Sequence, residues 1–506
     1  MKDFRIMLGY APVYGKTLSH ELIKWDNVSF CYSAAEDYCY EEADGAIVNF
    51  NYILGYFTNY EKVFDLTKIP ALSKEVLEKM LPYESMAIKL EMRRNHFPTV
   101  NYEDAKKNYH KHLRFWNHML DKHKINAVFF EETPHMSYTY VIYALALIKG
   151  IPILICSISS IPTRRPYGYT IEGEGEAIGE YYEAVCRKMN VEDCVLSGEI
   201  KNFYEKYTQP IDKIKDERKK QKFEKDSLKD ITEFIFKPCM GLKGVLRPLR
   251  KQTQMIKSVL KKERSLEWYR KNKEDINILK KEWWDVHIYN RYVAMTQKEY
   301  NKIAVEPDFN KKYIYFGLQF VPEETTIPRA GVFSEQYTSI QLLARAAEKV
   351  GVTVYVKEHF VQPFRSKFVY TQLQDISNVA LIKTTVSSFD LMKNSVAVAT
   401  QTGTCILEGA LRGKPALVFG ESAVWKGLPT MFEIVDEEQG EDVIRDILNG
   451  FSAEPDEIKK YFYAIQKKTV NCYYQPDWWN QRDTKEHKES TSELLDLICG
   501  FLKENS

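Results

Sequence analysis

An excess of either charge is missing from this sequence: 71 basic residues stand against 70 acidic ones, a net +1. Binding nucleic acid through overall charge needs a surplus of Lys and Arg to neutralise phosphates, so that class is excluded for the chain as a whole. Also missing is any CxxC pair; nine cysteines lie scattered at positions 31, 39, 156, 186, 194, 239, 405, 472 and 499. An odd, dispersed set argues against a zinc ribbon or a disulfide framework, and reduced thiols in a cytosolic protein are the expectation. No apolar run reaches the roughly 20 residues of a membrane span. The longest, Val141 to Ile158, is broken by Lys149, Gly150 and Pro152. The opening MKDFRIMLGYAPVYGK has too short an apolar stretch for a secretory signal and reads as a first strand. No repeat appears at periods of about 20–50 residues. These absences describe a chain that is soluble, or at most seated on a membrane surface.

What is present is ample core material. Of 506 residues, 44% are hydrophobic and 13% aromatic, enough for a large ordered interior. At about 150 residues per domain, two or three domains are expected. Texture divides the chain. Up to about residue 205, short apolar runs (Phe4 to Leu8, Ala46 to Phe50, Ala127 to Phe130, Pro152 to Ser157) alternate with amphipathic stretches (Tyr102 to Lys122, Tyr138 to Lys149). Strands separated by helices of this length predict a parallel sheet covered on both faces. The rhythm returns from about 310 to 440. Strands are expected at Tyr313 to Leu318, Thr353 to Lys357, Val379 to Lys383, Val396 to Thr400 and Ala416 to Phe419, and helices at Ser334 to Val350 and Cys405 to Arg412. Between these zones lies a Lys-, Glu- and Arg-rich helical segment. Within it, residues 237–262 carry eight basic residues and no acid, interleaved with Leu242, Val245, Leu246, Leu249, Met255, Ile256 and Leu260. Such a face suits an anionic membrane surface as well as ordinary packing with a solvated outer side. Residues 454–503 read as helical.

Four segments carry chemistry. In SVAVATQTGTCILEGALRGKPALVFG (395–420), a buried strand runs into Thr402, Gly403 and Thr404 before a helix. Amides at that helix start offer an anion seat, and Glu408, one turn in, offers a carboxylate for ribose hydroxyls. In VTVYVKEHF (352–360), Lys357, Glu358 and His359 stand where a strand meets its loop. There Lys357 or His359 can neutralise a phosphate oxygen, with Glu358 orienting the imidazole. Gln319 and Glu323 sit in a polar loop after the 313–318 strand, a place that often lines a cleft. In the first zone, Glu132 and His135 follow the 127–130 strand and are candidates for a general base. Arg164 and Arg165 follow the 152–157 strand and could clamp an acidic group.

Taken together, LQxxPE at 318–323, AGVF at 330–333, VYVKEH and TGTxxxEGxxxGKPAxxFG resemble the bacterial capsule polysaccharide biosynthesis proteins, among them Kdo transferases; EETPH at 131–135 is similar to the same group. The resemblance implies an α/β fold of GT-B type. Its two Rossmann-like domains would be an acceptor domain at 1–205 and a nucleotide-sugar donor domain at 306–450. A helical, partly basic insertion at 206–305 and C-terminal helices at 451–506, packed back on the first domain, complete the chain. It implies a glycosyltransferase with no essential metal and no cofactor, whose nucleotide sugar is a substrate, CMP-linked ahead of UDP-linked. The acceptor would be a capsule or other glycan or a glycolipid, reached at the inner face of the cell membrane. The family's nucleotide-phosphate histidine, part of a His-Pro pair, maps onto His359, where this chain has Phe360 instead of proline. For a sugar-acid donor, Arg164 or Arg165 would hold the carboxylate. Two other readings stay open: a nucleotide-sugar 2-epimerase of the same architecture, and a non-catalytic capsule-assembly protein.

Overall fold

The computed structural model describes residues 3–35, 41–43, 46–51, 60–62, 64–93, 102–210, 299–319, 321, 324–359, 367–420, 423–452, 454–473 and 484–506. The basic 237–262 stretch, Glu323 and Phe360 lie outside them.

The first half runs β1 (Phe4–Tyr10), α1 (Gly15–Leu22), β2 (Val28–Ala35), β3 (Glu41–Ala43), β4 (Ile47–Asn51), α2 (Lys74–Arg93), α3 (Tyr102–Lys122), β5 (Ala127–Phe130) and α4 (Ser137–Lys149). It continues through β6 (Ile153–Cys156), β7 (Arg164–Arg165), β8 (Tyr167–Gly168), α5 (Glu176–Ala184) and α6 (Gly198–Tyr207). Its sheet has the order β3-β4-β2-β1-β5-β6-β8, with the five inner strands parallel and β3 and β8 antiparallel at the edges. Period-two alternation sorts the side chains between the faces. Met7, Val128, Phe130 and Ile155 pack against Leu113, Trp116, Val141 and Leu145 of α3 and α4. Ile6, Leu8, Ala127, Phe129 and Leu154 pack against Leu18 and Leu22 of α1. With both faces covered, the strands read as unbroken apolar runs, which is why the sequence exposes them so readily. β2 escaped that reading because Ser29 and Ser33 interrupt its apolar residues.

The second half runs β9 (Tyr313–Gly317), α7 (Gln336–Lys349), β10 (Thr353–Lys357), α8 (Lys367–Gln374), β11 (Val379–Leu381), α9 (Ser388–Asn394), β12 (Ala397–Thr400), α10 (Thr404–Ala410), β13 (Ala416–Val418), β14 (Met431–Glu433) and α11 (Glu437–Leu448). All six strands are parallel, in the order β11-β10-β9-β12-β13-β14. Counted within the domain this is 3-2-1-4-5-6, the dinucleotide-fold order. Ile314, Phe316, Val354 and Ala399 face α7 and α11, while Tyr313, Tyr315, Tyr355 and Val398 face α10. Gly413, at φ 76°, ends the α10 region in the left-handed conformation that suits glycine.

Among the described residues that follow are α12 (Pro455–Lys468), β15 (Val470–Asn471) and α13 (Lys485–Glu504). Leu494, Ile498, Phe501 and Leu502 of α13 cover the α1 face of the first sheet. Tyr461, Phe462 and Ile465 of α12 share one core with Ile178 and Tyr182 of α5 and with Ile406 and Leu407 of α10. β15 pairs antiparallel with β7. The architecture is α/β with two Rossmann-like domains, as the GT-B class has. None of the helices among the described residues is long and apolar enough to cross a membrane.

Candidate functional site

In an open parallel sheet, ligands bind beyond the carboxyl ends of the strands, at the point where strand order reverses. In the second domain that point lies between β9 and β12. Gln319 leaves β9 and Thr402 leaves β12, and the two lock together. The Thr402 amide donates to Gln319 Oε1 at 3.1 Å, and Gln319 Nε2 donates to Thr402 Oγ1 at 3.0 Å. The Thr402 amide, expected among those facing a phosphate, is thus taken by Gln319. Gly403 follows in extended backbone at φ −71°. A Cβ there would lie 3.1 Å from Gln319 Cγ and 3.3 Å from Thr400 Cγ2, so close approach is what favours glycine. Thr404 opens α10. Glu408, one turn on, is near enough to Cys405 for its charge to reinforce burial in pushing that thiol up to about 12.

Beside this bend, β10 ends at Lys357, in register with Gly317 of β9. Lys357 is buried, and its Nζ donates to Ser388 Oγ at 2.9 Å. Burial, with no carboxylate partner among the described residues, pulls its ammonium down to about 8. A buried cation of this kind is relieved by an incoming anion. Glu358 turns the other way: its Oε2 accepts from Tyr370 at 2.6 Å and its Oε1 accepts the His359 backbone amide at 2.8 Å. It thus holds the main chain of His359. His359 itself is half-buried at the strand exit.

The first domain reverses strand order between β1 and β5. Glu131 leaves β5 and accepts the amides of Val13 and Tyr14, just before α1, at 3.2 and 3.0 Å. The anion seat of this switch point is thereby filled by the chain's own carboxylate. Burial pushes Glu131 up to about 7, against the pull of Arg165 and the two amides. Arg165 is buried too, donating to the Glu131 carbonyl at 2.8 Å and lying 3.7 Å from its carboxylate. Of the two arginines, only Arg164 keeps partial exposure, on the strand that pairs with β15.

Glu132 points elsewhere. It is buried, accepts no hydrogen bond among the described residues, and lies 3.9 Å from His135 Nδ1. Burial, then the charges of Glu324 and Glu131, raise its carboxyl to about 8. His135 Nδ1 lies 2.8 Å from the Thr133 carbonyl and so donates to it, which fixes the ring.

Residues 324–329, from the loop after β9, join the two switch points. Thr325 accepts from Thr402 Oγ1 through its carbonyl at 2.6 Å, and the adjacent Glu324 brings Oε2 to 3.9 Å from His135 Nδ1. One dipeptide therefore spans from the second domain's bend to the first domain's imidazole. Arg329, buried, donates from Nε to Glu324 at 3.1 Å and from Nη2 to Glu174 at 2.7 Å. Glu174 also accepts from Thr133 and Ser157. Although burial opposes ionisation of Glu324, Arg329 outweighs it and holds that carboxyl below its ordinary range. Lys357 and its neighbours suit an anion; the carboxylates and imidazole across the interface suit a proton or a cation.

Sequence reasoning missed Glu324, Arg329 and Glu174. Arg329 offered one signal, an isolated guanidinium inside the otherwise apolar IPRAGVF. The set defines a class in structural terms: two Rossmann-like domains whose switch points face each other, one cationic and one acidic.

Neither a family model nor a curated protein matches the chain. Among solved structures, it is similar to the KpsC beta Kdo 2,7 transferase of Thermosulfurimonas dismutans, at 14% identity and a TM-score of 0.24, over 42% of this chain and 62% of that one. The chain thus spans less than two thirds of that transferase's length. It is also similar to the UDP-GlcNAc 2-epimerase of Methanocaldococcus jannaschii (11% identity, TM-score 0.24, 92% of this chain and 99% of that one). The UDP-GlcNAc 2-epimerase of Neisseria meningitidis, bound to UDP-GlcNAc, matches at 12% identity and a TM-score of 0.23, over 99% and 100% of the two chains. Likenesses this distant carry no argument about activity.

Proposed function

We propose that this protein is a glycosyltransferase that moves a sugar from a nucleotide donor, CMP-linked ahead of UDP-linked, to a hydroxyl of a glycan or glycolipid acceptor. The donor lies on the second domain. Its phosphate meets Lys357, His359 and the amides of Gly403 and Thr404, and Glu408 takes the ribose. Transfer forms a bond from the acceptor oxygen to the anomeric carbon and breaks the bond from that carbon to phosphate oxygen, which leaves with the electron pair. Lys357 stabilises the charge that develops there; losing one such donor typically costs about 10²–10³ in rate. The acceptor proton passes to Glu132, with His135 beside it. If the donor is a sugar acid, Arg164 is the arginine left to bind its carboxylate, since Arg165 is committed to Glu131. An acceptor on a membrane would be approached from the inner face, with residues 237–262 as the contact.

The observation that carries this reading is the Glu324–Thr325 bridge, which sets an anion-seeking and a proton-accepting switch point on either side of one dipeptide. Several acid–base groups around one point also suit an epimerase, which must remove and return a proton on the sugar. The two separate in one experiment. Purified protein is incubated with CMP- and UDP-sugars, with and without glycan acceptors, and followed by NMR. A transferase consumes donor only with acceptor; turnover in its absence replaces this reading with the epimerase.

A further inference from the structure

Glu132 follows β5 of the first domain and Glu324 follows β9 of the second, and an oxygen of one lies within 4.8 Å of an oxygen of the other. We infer that this pair of carboxylates seats a primary ammonium group, of the kind an amino sugar carries, at the domain interface. Two charge-assisted hydrogen bonds of about 2.8 Å, set at the tetrahedral angle of an ammonium nitrogen, place their acceptors about 4.6 Å apart. The pair can match that span without a third ligand.

Three observations point to a cationic ligand. Glu132 is 7% exposed, and among the described residues its carboxylate accepts no hydrogen bond and pairs with no lysine or arginine. His135 Nδ1, 3.9 Å away, does not fill that place, since it is committed to the Thr133 carbonyl at 2.8 Å. Glu324 is gripped by Arg329 at 3.1 Å, which fixes its carboxylate and keeps it ionised. The balance of charge agrees. Glu131, Glu132, Glu174 and Glu324 supply four carboxylates against the guanidiniums of Arg165 and Arg329. Burial and the charges of Glu324 and Glu131, against the pull of Arg165, raise the Glu132 carboxyl to about 8. At pH 7 a proton therefore stands where a cation would otherwise be held. Both side chains keep some exposure, 9% for Glu132 and 25% for Glu324, so the pair can be reached.

The consequence for the substrate rests on the transferase reading: the acceptor is then an amino glycan. Its ammonium expels the proton of Glu132 to solvent, and the Glu132 oxygen that the nitrogen does not engage takes the proton of a neighbouring hydroxyl.

The test titrates the full chain, without nucleotide, with glucosamine, N-acetylglucosamine and glucose, by calorimetry in two buffers of different ionisation enthalpy. Glucosamine should bind saturably and at least about tenfold tighter than the two neutral sugars. At pH 7 its binding should release most of one proton, as the ammonium displaces that of Glu132. Glu132→Gln should abolish the release, and Glu324→Gln should weaken binding at least about tenfold. No saturable glucosamine binding, binding no tighter than that of N-acetylglucosamine, or no proton released overturns the proposal. So does proton release that survives in folded Glu132→Gln, or affinity unchanged in folded Glu324→Gln. Because no nucleotide is present, that failure leaves the transferase reading standing. Glucosamine binding without transfer from any nucleotide sugar would remove the transferase and keep the seat.

Discussion

Glu132 and Lys357 are buried with opposite charges, and each makes a prediction with a defined sign. The folded carboxyl of Glu132 sits at about 8, above its ordinary 4.5. Its protonated form contributes stability that is complete below the ordinary value and is lost as pH rises through about 8. Glu132→Gln should therefore melt progressively higher than the unaltered chain between pH 5 and 9, roughly 2–4 °C for each kcal/mol removed. Turnover by the same variant should fall by about 10²–10⁴ if Glu132 is the base, and kcat/KM of the unaltered enzyme should climb to a plateau above about 8. A flat profile would remove Glu132 from that role. Lys357 has the mirror-image behaviour. Its ammonium is pulled from 10.5 to about 8, so the folded state favours the neutral form and gains stability as pH rises through that window. Lys357→Met, similar in length, should raise the melting temperature at pH 7 and weaken CMP or UDP binding by about 10- to 100-fold, the worth of a charge-assisted bond. Calorimetric titration checks the second effect.

Among the elements, the strand-to-helix units of the second domain do the positioning. α10 lies so close on β12 that a Cβ on Gly409 would come within 2.9 Å of Val398 Cγ2. Gly409→Ala should cost about 1–3 kcal/mol in chemical denaturation, the usual cost of overpacking, and should shift Glu408 from the place proposed for it beside the ribose. Unchanged stability would mean the helix has room that its packing denies. At this scale the sequence was highly legible. Tyr102–Lys122, Ala127–Phe130 and Thr353–Lys357 match the expected segments residue for residue, because buried parallel strands and amphipathic helices write their periodicity into local sequence. Helix ends were less so: the helix expected over 405–412 covers Thr404–Ala410, since Gly413 sets the stop only after a final turn that is no longer helical.

On the scale of the whole molecule, Arg329 is the joint. Its guanidinium binds Glu324 in its own loop and Glu174 from the first domain, Arg329 and Glu174 being buried and Glu324 partly so. Arg329→Ala leaves two carboxylates uncompensated and should cost about 3–5 kcal/mol. In differential scanning calorimetry the two domains are then expected to melt in separate transitions. Combining Arg329→Ala with Glu174→Ala should recover part of the loss, and strict additivity of the two changes would show that they do not interact. α12 packing on both α5 and α10 gives the interface its apolar half.

The sequence by itself determined the two α/β domains and the strand ends where function collects, since hydrophobic periodicity and turn residues are local properties. It also placed Glu132, His135, Lys357 and Thr402 near strand ends. Only the tertiary structure decided which of them share a site. Arg165 turned inward because Glu131 needed a counter-charge in a dry core, and Gln319 spent its amide on Thr402 because crossover topology sets β9 beside β12. Glu324 meets His135 across nearly 190 positions of sequence, a juxtaposition fixed by domain packing, to which no local pattern responds.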